Sequence, residues 1–234
     1  MAEAAQIYQQ IVDDSELLAA IPRLDKDPRI DLALVMGNSI LKLSGLRPRT
    51  SDVAPAPLRD VNPSLFLQAV LVLDTQLKVT PGDVALRLLL AQLYLLLGCA
   101  SYAYQIWTPL DVKRTIQDSL SPLFFDRISS LSPGLFTGTR PLMEPLRSYY
   151  NNSLHSSCPL RIWDAFGSGS YSSILEMTEF DSKLRRSCTL MMSIVEERRA
   201  TRAFGGKIEC EIGDLALTGT FISIIFLSTK LTCS

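Results

Sequence analysis

Side chains that could carry out acid–base or nucleophilic chemistry are few in this sequence. The single histidine, His155, lies in the polar stretch NNSLHSS, three residues before Cys158. A thiol and an imidazole form a catalytic pair when they lie close together, but no signature of a cysteine enzyme surrounds these two positions. We therefore expect His155 to be an exposed loop residue. One alternative for the function of this chain nevertheless stays open, namely that it is an enzyme with its own active centre.

Metal and phosphate sites are not indicated either. The five cysteines are scattered and form no CxxC pair: Cys99, Cys158, Cys188, Cys210 and Cys233. An odd number of dispersed cysteines argues against a disulfide framework or a zinc site and favours a reducing compartment, which predicts a cytoplasmic protein. Gly167-Ser-Gly169 lacks the third glycine and the preceding strand of a phosphate-binding loop. The sequence thus predicts no catalytic, cofactor-binding or metal-binding residue.

Basic side chains are concentrated between residues 170 and 207, which contain seven basic and five acidic residues. The simpler interpretation is a solvated helix face. The more specific one is a basic surface that contacts an acidic partner or an RNA backbone. The candidate partner-binding residues are Arg185, Arg186, Arg198, Arg199 and Arg202.

Apolar periodicity and capping residues predict a chain of helices. The segment Pro81–Gly98 is apolar on nearly every face, with Thr80 as its expected N-cap and a proline at its first helical position. Such a helix is buried among other helices or lies in a membrane. This one contains Arg87 and is shorter than the roughly 20 apolar residues of a membrane span. We predict an inner helix, paired with the preceding helix that starts at Asn62.

Further helix starts are predicted within Asp13-Asp14-Ser15 and at Asp27. Residues 170–204 are expected to form a long helix, in one or two parts. Its apolar face follows helical spacing and comprises Leu184, Cys188, Met191, Met192 and Val195. The opposite face holds Lys183, Arg186, Glu197 and Arg198.

Composition divides the 234 residues into four segments. They are N-terminal helices (1–46), a linker or loop with three prolines (47–61), a helical-repeat segment (62–205) and an irregular tail (206–234). Within the tail, Leu215–Leu227 is apolar and β-branched without helical spacing. An unpaired strand, a disordered end and sequence foreign to the native protein remain open alternatives there.

Bulk properties agree with a helical scaffold. The hydrophobic fraction of 47% is typical of a globular protein. A net charge of −1 creates no field that would attract DNA or an anionic membrane, so we expect neither as a partner. The N-terminal residues lack the basic-then-apolar order of a signal peptide. The expected fold class is all-α, a segment of an α-solenoid: a superhelix of tetratricopeptide-like helix pairs.

Two stretches within residues 62–204 resemble the auxiliary, non-catalytic subunit of the NatB N-terminal acetyltransferase complex. They are DVALRLLLAQLYLLLGCASYAYQIWTPLDVKRTIQDSLSPLFFDRIS (Asp83–Ser129) and DSKLRRSCTLMMSIVEERR (Asp181–Arg199). The resemblance implies a superhelix that wraps a separate catalytic subunit and helps to attach the complex to ribosomes. That catalytic partner acetylates nascent chains that start with Met followed by Asp, Glu, Asn or Gln.

The resemblance also implies that acetyl-CoA binds the catalytic partner, so that this chain has no cofactor of its own. Members of the family are several times longer than this chain, so we expect an internal or C-terminal segment. Three alternatives to a NatB scaffold remain open. They are a helical-repeat adaptor of another cytosolic complex, an RNA-binding protein that uses the arginine face, and the enzyme considered above.

Overall fold

The computed structural model describes residues 2–21, 27–46, 58–110, 114–136 and 142–204. Every regular element in these ranges is helical, and none of them contains a strand. The chain divides into two compact units. The first comprises residues 1–97 and 102–110, and the second comprises residues 98–101 and 111–234. The prediction of an all-α fold is confirmed.

The helices of the first unit are α1 (Ala2–Asp13), α2 (Ser15–Ala20), α3 (Pro28–Leu43), α4 (Pro63–Val79), α5 (Val84–Leu96) and most of α6 (Ala100–Trp107). Three of these helices, α2, α3 and α4, follow a side chain that satisfies backbone N–H groups of their first turn. Side-chain oxygens of Asp14, Asp27 and Asn62 accept hydrogen bonds from backbone N–H groups two or three residues further on. The predicted caps at Asp27 and Asn62 are therefore confirmed, and within the predicted Asp13-Asp14-Ser15 it is Asp14 that caps α2. A proline follows two of them, at a position where no helical donor is lost.

Helix α5 begins three residues later than predicted. Thr80 ends α4 instead of starting α5, because its backbone N–H donates to the carbonyl of Gln76 at 2.9 Å. The N-cap of α5 is Asp83, whose carboxylate accepts the N–H of Leu86 at 2.7 Å. A carboxylate also interacts favourably with the positive end of the helix, an advantage that a threonine hydroxyl lacks. The expected left-handed end at Gly98 is confirmed by its φ of 76°.

The interior of the first unit is apolar and includes α5, as predicted. Leu73 of α4 and Leu86 and Leu90 of α5 have no accessible surface. Gly37 of α3 lies so close to Leu73 that an added Cβ would be 2.8 Å from the leucine Cδ2. The missing side chain therefore allows α3 and α4 to approach closely, which compensates for the low helix propensity of glycine.

The helices on both sides of the predicted linker belong to the same unit. Residues 47–57 lie outside the described part of the chain, and residues 58–60 form a short 3-10 turn. Helices α3 and α4 pack on each other, and the backbone N–H of Asn62 donates to the carbonyl of Ser44 at 2.8 Å. The division of residues 1–205 at this linker stays a prediction.

The second unit continues the pattern of neighbouring helix pairs. Its helices are α7 (Arg114–Phe125), α8 (Ile128–Leu131), α9 (Glu144–Asn152), α10 (Cys158–Ser168), α11 (Tyr171–Arg185) and α12 (Cys188–Phe204). Helix α10 packs on α11, and α12 packs on α7 and α8. Pairing of neighbouring helices in both units confirms the helix-pair class that is typical of α-solenoids. The predicted tail, residues 206–234, lies outside the described residues.

Candidate partner-binding surfaces

The side chains with possible catalytic chemistry are not arranged for it. His155 is exposed on a π-helical turn (Ser153–Ser157) instead of a loop, and Cys158 is buried at the start of α10. Burial raises the pKa of the Cys158 thiol, and the carboxylate of Asp181 raises it further. A nucleophilic cysteine needs the opposite shift.

Two further features, a metal centre and a membrane-spanning helix, are absent from the described residues. These residues contain no group of three or more histidine, cysteine or acidic side chains that could hold a metal ion. None of the described helices is long and apolar enough to cross a membrane.

The segment 170–204 forms two helices, and part of its predicted apolar face is wrong. Helix α11 ends at Arg185, and the hydroxyl of Ser187 accepts the backbone N–H groups of Thr189 and Leu190 at 3.1 and 3.4 Å. Ser187 therefore caps α12. Because α12 starts anew here, its orientation differs from that of a continuous helix. Cys188 and Val195, both placed on the inner face, are exposed.

Two adjacent glutamates of α12 are buried, with only 1% of Glu196 and 3% of Glu197 exposed. The placement of Glu197 on a solvent face is therefore wrong. One carboxylate oxygen of Glu196 accepts the backbone N–H and the hydroxyl of Ser129 at 2.9 and 2.6 Å, and the other accepts Nη1 of Arg199 at 2.8 Å. Glu197 accepts Nη2 of Arg147 at 2.7 Å. These bonds compensate for burying two charges.

Glu196 accepts a hydrogen bond at the start of helix α8, which has no side-chain cap of its own. Helix α8 follows Arg127, which has a left-handed backbone (φ 59°) and provides no side-chain cap. The first N–H groups of a helix need acceptors from elsewhere. Glu196 supplies one of them from 67 residues away in the sequence. Helix α12 therefore caps α8 through tertiary structure.

A second buried polar cluster joins α7, α9 and α12. A carboxylate oxygen of Asp118 accepts hydrogen bonds from the hydroxyls of Tyr150 and Ser187, and the backbone carbonyl of Asp118 accepts the hydroxyl of Thr189 at 2.6 Å. Burial raises the pKa of Tyr150, and the hydrogen bond to Asp118 raises it further. The phenol thus stays protonated and remains a donor over the physiological pH range.

The arginines predicted to contact a partner lie at the end of α11 and along α12: Arg185, Arg186, Arg198, Arg199 and Arg202. Arg185 and Arg199 form ion pairs at 2.8 Å within their own helices. Arg186 and Arg202 are exposed and have no ion pair within the described part of the chain. The structure thus places Arg185 at the end of α11, Arg186 in the turn that follows it and the other three on α12, and the role of all five stays a prediction.

A surface that the sequence did not single out lies on the α10–α11 pair. Five large apolar side chains are mostly exposed there, and we call them the α10–α11 apolar surface: Leu160, Trp163, Phe166, Tyr171 and Leu175. The ring centroids of Trp163 and Phe166 lie 6.2 Å apart. Exposed aromatic groups of this kind are characteristic of the anchor residues of protein interfaces.

The first unit has a shallow apolar cleft of about 210 Å³. Its walls are formed by the 3-10 turn, the start of α4 and the end of α5, through Leu58, Val61, Pro63, Phe66, Leu67, Leu96 and Leu97. This volume is below the roughly 300–1,000 Å³ of a typical ligand pocket. The cleft is suited to a single apolar side chain and is too small for a nucleotide cofactor.

Comparison with known proteins identifies the family. The family model described as "N-acetyltransferase B complex (NatB) non catalytic subunit" matches residues 1–224. The chain belongs to this family. It follows that the chain is related to an auxiliary subunit, as predicted, and not to the catalytic subunit. No solved structure matches the chain significantly.

Two curated relatives from yeasts agree with this NatB assignment. The N-terminal acetyltransferase B complex subunit arm1 of Schizosaccharomyces pombe is 28% identical over 149 residues, which are 63% of this chain and 18% of the relative. The corresponding subunit MDM20 of Saccharomyces cerevisiae is 29% identical over 162 residues, which are 67% of this chain and 20% of the relative. The chain thus spans about a fifth of the length of the curated relatives it matches.

Proposed function

We propose that this chain forms part of the non-catalytic scaffold of a NatB N-terminal acetyltransferase, where it helps to hold the catalytic subunit. The observation that carries the proposal is the family match over residues 1–224. In this assignment the catalytic partner binds acetyl-CoA and acetylates nascent chains that start with Met followed by Asp, Glu, Asn or Gln. The chain acts in the cytoplasm, where nascent chains are made.

The described residues support a role in binding and not in chemistry. The side chains with catalytic potential, His155 and Cys158, do not line the described apolar cleft. In the second unit, the buried carboxylates of Glu196 and Glu197 are used to hold helices together through Ser129 and Arg147. The surface, in contrast, offers an exposed apolar region and two exposed arginines, Arg186 and Arg202, that form no ion pair with the described residues. Both kinds of group are features of protein interfaces.

Co-purification with the catalytic subunit tests the proposal. The chain and the NatB catalytic subunit are co-expressed, one of them is captured through a tag, and the stoichiometry of the complex is determined. A stable complex that acetylates a Met-Asp peptide supports a NatB scaffold. Recovery of a different stable assembly without an acetyltransferase would instead identify an adaptor of another complex.

The arginine face is a second candidate surface, for attachment to the ribosome or another acidic partner. The specific observation is that Arg186 and Arg202 are exposed without an ion pair in the described residues. Binding through these groups depends steeply on salt, because bound counterions are released from an RNA backbone. Replacing both arginines with glutamine is expected to weaken ribosome co-sedimentation and to reduce the salt slope. A slope that is flat in the unmodified chain would exclude this role.

A further inference from the structure

The α10–α11 apolar surface is at or above the upper end of the apolar patches that ordinary monomers expose. Trp163 is 73% exposed, and the other four members are also more than half exposed. An aromatic side chain has about 150–250 Å² of surface, so that three aromatic rings and two leucines leave on the order of 500–700 Å² of apolar area uncovered. The largest apolar patch of a typical monomer is about 300–600 Å².

This area matches what one side of a stable interface requires. A standard protein–protein interface buries roughly 800 Å² on each partner, and somewhat more than half of that is apolar. The surface is also held on a rigid support. Gly169 has a left-handed backbone, and its N–H and that of Ser170 donate to the last carbonyls of α10. The turn between α10 and α11 is therefore closed by hydrogen bonds.

The charges near this surface indicate the chemistry of its partner. On α11 four of the five charged groups form pairs, with Glu179 bonded to Lys183 at 2.7 Å and Asp181 to Arg185 at 2.8 Å. Glu176, next to Leu175, is exposed and has no ion pair among the described residues. On α10 the exposed Arg161 and Asp164 have opposite signs. The surroundings of the surface thus carry a single uncompensated charge, that of Glu176, which is too little to select a strongly acidic or basic ligand. Its partner is expected to bring uncharged aliphatic or aromatic anchors.

We propose that the α10–α11 apolar surface is the contact on this chain for the catalytic subunit of the acetyltransferase. The inference rests on the proposed scaffold function and specifies which surface performs it. Membership in a family of non-catalytic complex subunits requires a catalytic partner, and this surface has the area and the aromatic anchors that such a partner needs. Trp163 is the central anchor, since Trp is the residue most enriched among binding hot spots.

A matched pair of leucines provides the test. Leu160 on α10 and Leu71 on α4 are both 63% exposed. Leu160→Asp places a charge in the proposed contact, and Leu71→Asp places the same charge on an equally exposed position outside it. We expect Leu160→Asp and Trp163→Ala to raise the Kd for the purified catalytic subunit at least about 30-fold, as a hot spot does. Leu71→Asp is expected to change the Kd less than about twofold.

The outcomes separate the two proposals. If the unmodified chain binds the catalytic subunit and both leucine variants behave alike, the surface assignment is wrong while the scaffold function stands. If the unmodified chain does not bind, the scaffold function fails and the assignment falls with it. Light scattering after size exclusion adds a further control. A dimer of this chain that Leu160→Asp dissociates would show that the surface binds a second copy instead. Unchanged circular dichroism of each variant confirms that the fold is retained.

Discussion

Replacing Glu196 tests whether α12 caps α8. Glu196→Ala removes the acceptor of three hydrogen bonds, two of which come from Ser129. Ser129 is buried, so its N–H and hydroxyl become unsatisfied donors. Each such donor costs about 1–3 kcal/mol. The third bond comes from Arg199, whose side chain is 54% exposed and regains water, so its loss costs less than about 1 kcal/mol. We therefore expect Glu196→Ala to lower the free energy of unfolding by about 3–5 kcal/mol.

Three further variants isolate the cause of this loss. Glu196→Gln keeps an oxygen that accepts both bonds from Ser129, so it is expected to cost only about 1–2 kcal/mol. Arg199→Ala leaves the α8 cap intact and is expected to cost less than about 1 kcal/mol. Glu176→Ala removes an exposed glutamate from α11 and provides the matched control, with a change within about 0.5 kcal/mol.

Urea unfolding measures the free energies, and hydrogen–deuterium exchange locates the effect. Exchange of the Ser129 amide is expected to accelerate in Glu196→Ala, because that amide loses its acceptor. The tertiary cap would be refuted if Glu196→Ala and Arg199→Ala cost the same. Unchanged exchange at Ser129 in Glu196→Ala would refute it equally.

Three other changes test individual contacts. Gly37→Ala is expected to lower the free energy of urea unfolding by about 1–3 kcal/mol, because the new alanine Cβ would overlap the side chain of Leu73. Alanine favours helices more than glycine does, so a variant that is more stable would contradict the close approach of α3 and α4. Burial alone would raise the pKa of Asp27, but the bonds from Arg29 outweigh it and hold the pKa below the ordinary 3.8. This stabilisation is fully present above pH 3.8 and is lost as the pH falls from there through the lowered pKa of the folded state. Asp27→Asn should therefore cost less stability at pH 3 than at pH 7, and equal losses at both pH values would disprove the ion pair. Titration of tyrosinate absorbance should reveal a group that ionises well above pH 10, and Tyr150→Phe should remove it, since burial and hydrogen bonding raise the pKa of Tyr150.

Local signals explain why most helix boundaries were predictable. Asp27 and Asn62 cap helices through N–H groups only two or three residues away, so the sequence window contains both partners. The start of α5 was missed because Thr80 and Asp83 both fit the N-cap pattern. Choosing between them requires knowing that the N–H of Thr80 is already used by the end of α4.

The roles of buried charges were not predictable, because their partners are distant in sequence. Glu197 is separated by 50 residues from Arg147, and nothing in the helical pattern around it indicates burial. Arg87 was noted only as an interruption of an apolar helix, yet its guanidinium donates to the carbonyls of Pro81 and Ile106 at 2.7 and 3.1 Å. The α10–α11 apolar surface was missed for a related reason. Sequence alone left open whether an apolar residue such as Trp163 belongs to the core or to an interface, and only the fold shows which of these residues remain uncovered.

The two units are stabilised by different physical means, and this difference bears on binding. The first unit has an apolar core, and apolar contacts tolerate small shifts of one helix against another. The second unit adds directional bonds, in which Asp118 ties α9 and α12 to α7 and Glu196 ties α12 to α8. Buried ionic groups of this kind are often no more stabilising than apolar replacements, but they favour one relative arrangement of helices over others. A surface on a helix pair within such a unit is ordered before its partner arrives, so less conformational entropy is lost on binding. If the proposed contact is correct, we expect the polar interior of the second unit to contribute to partner affinity through the order that it imposes.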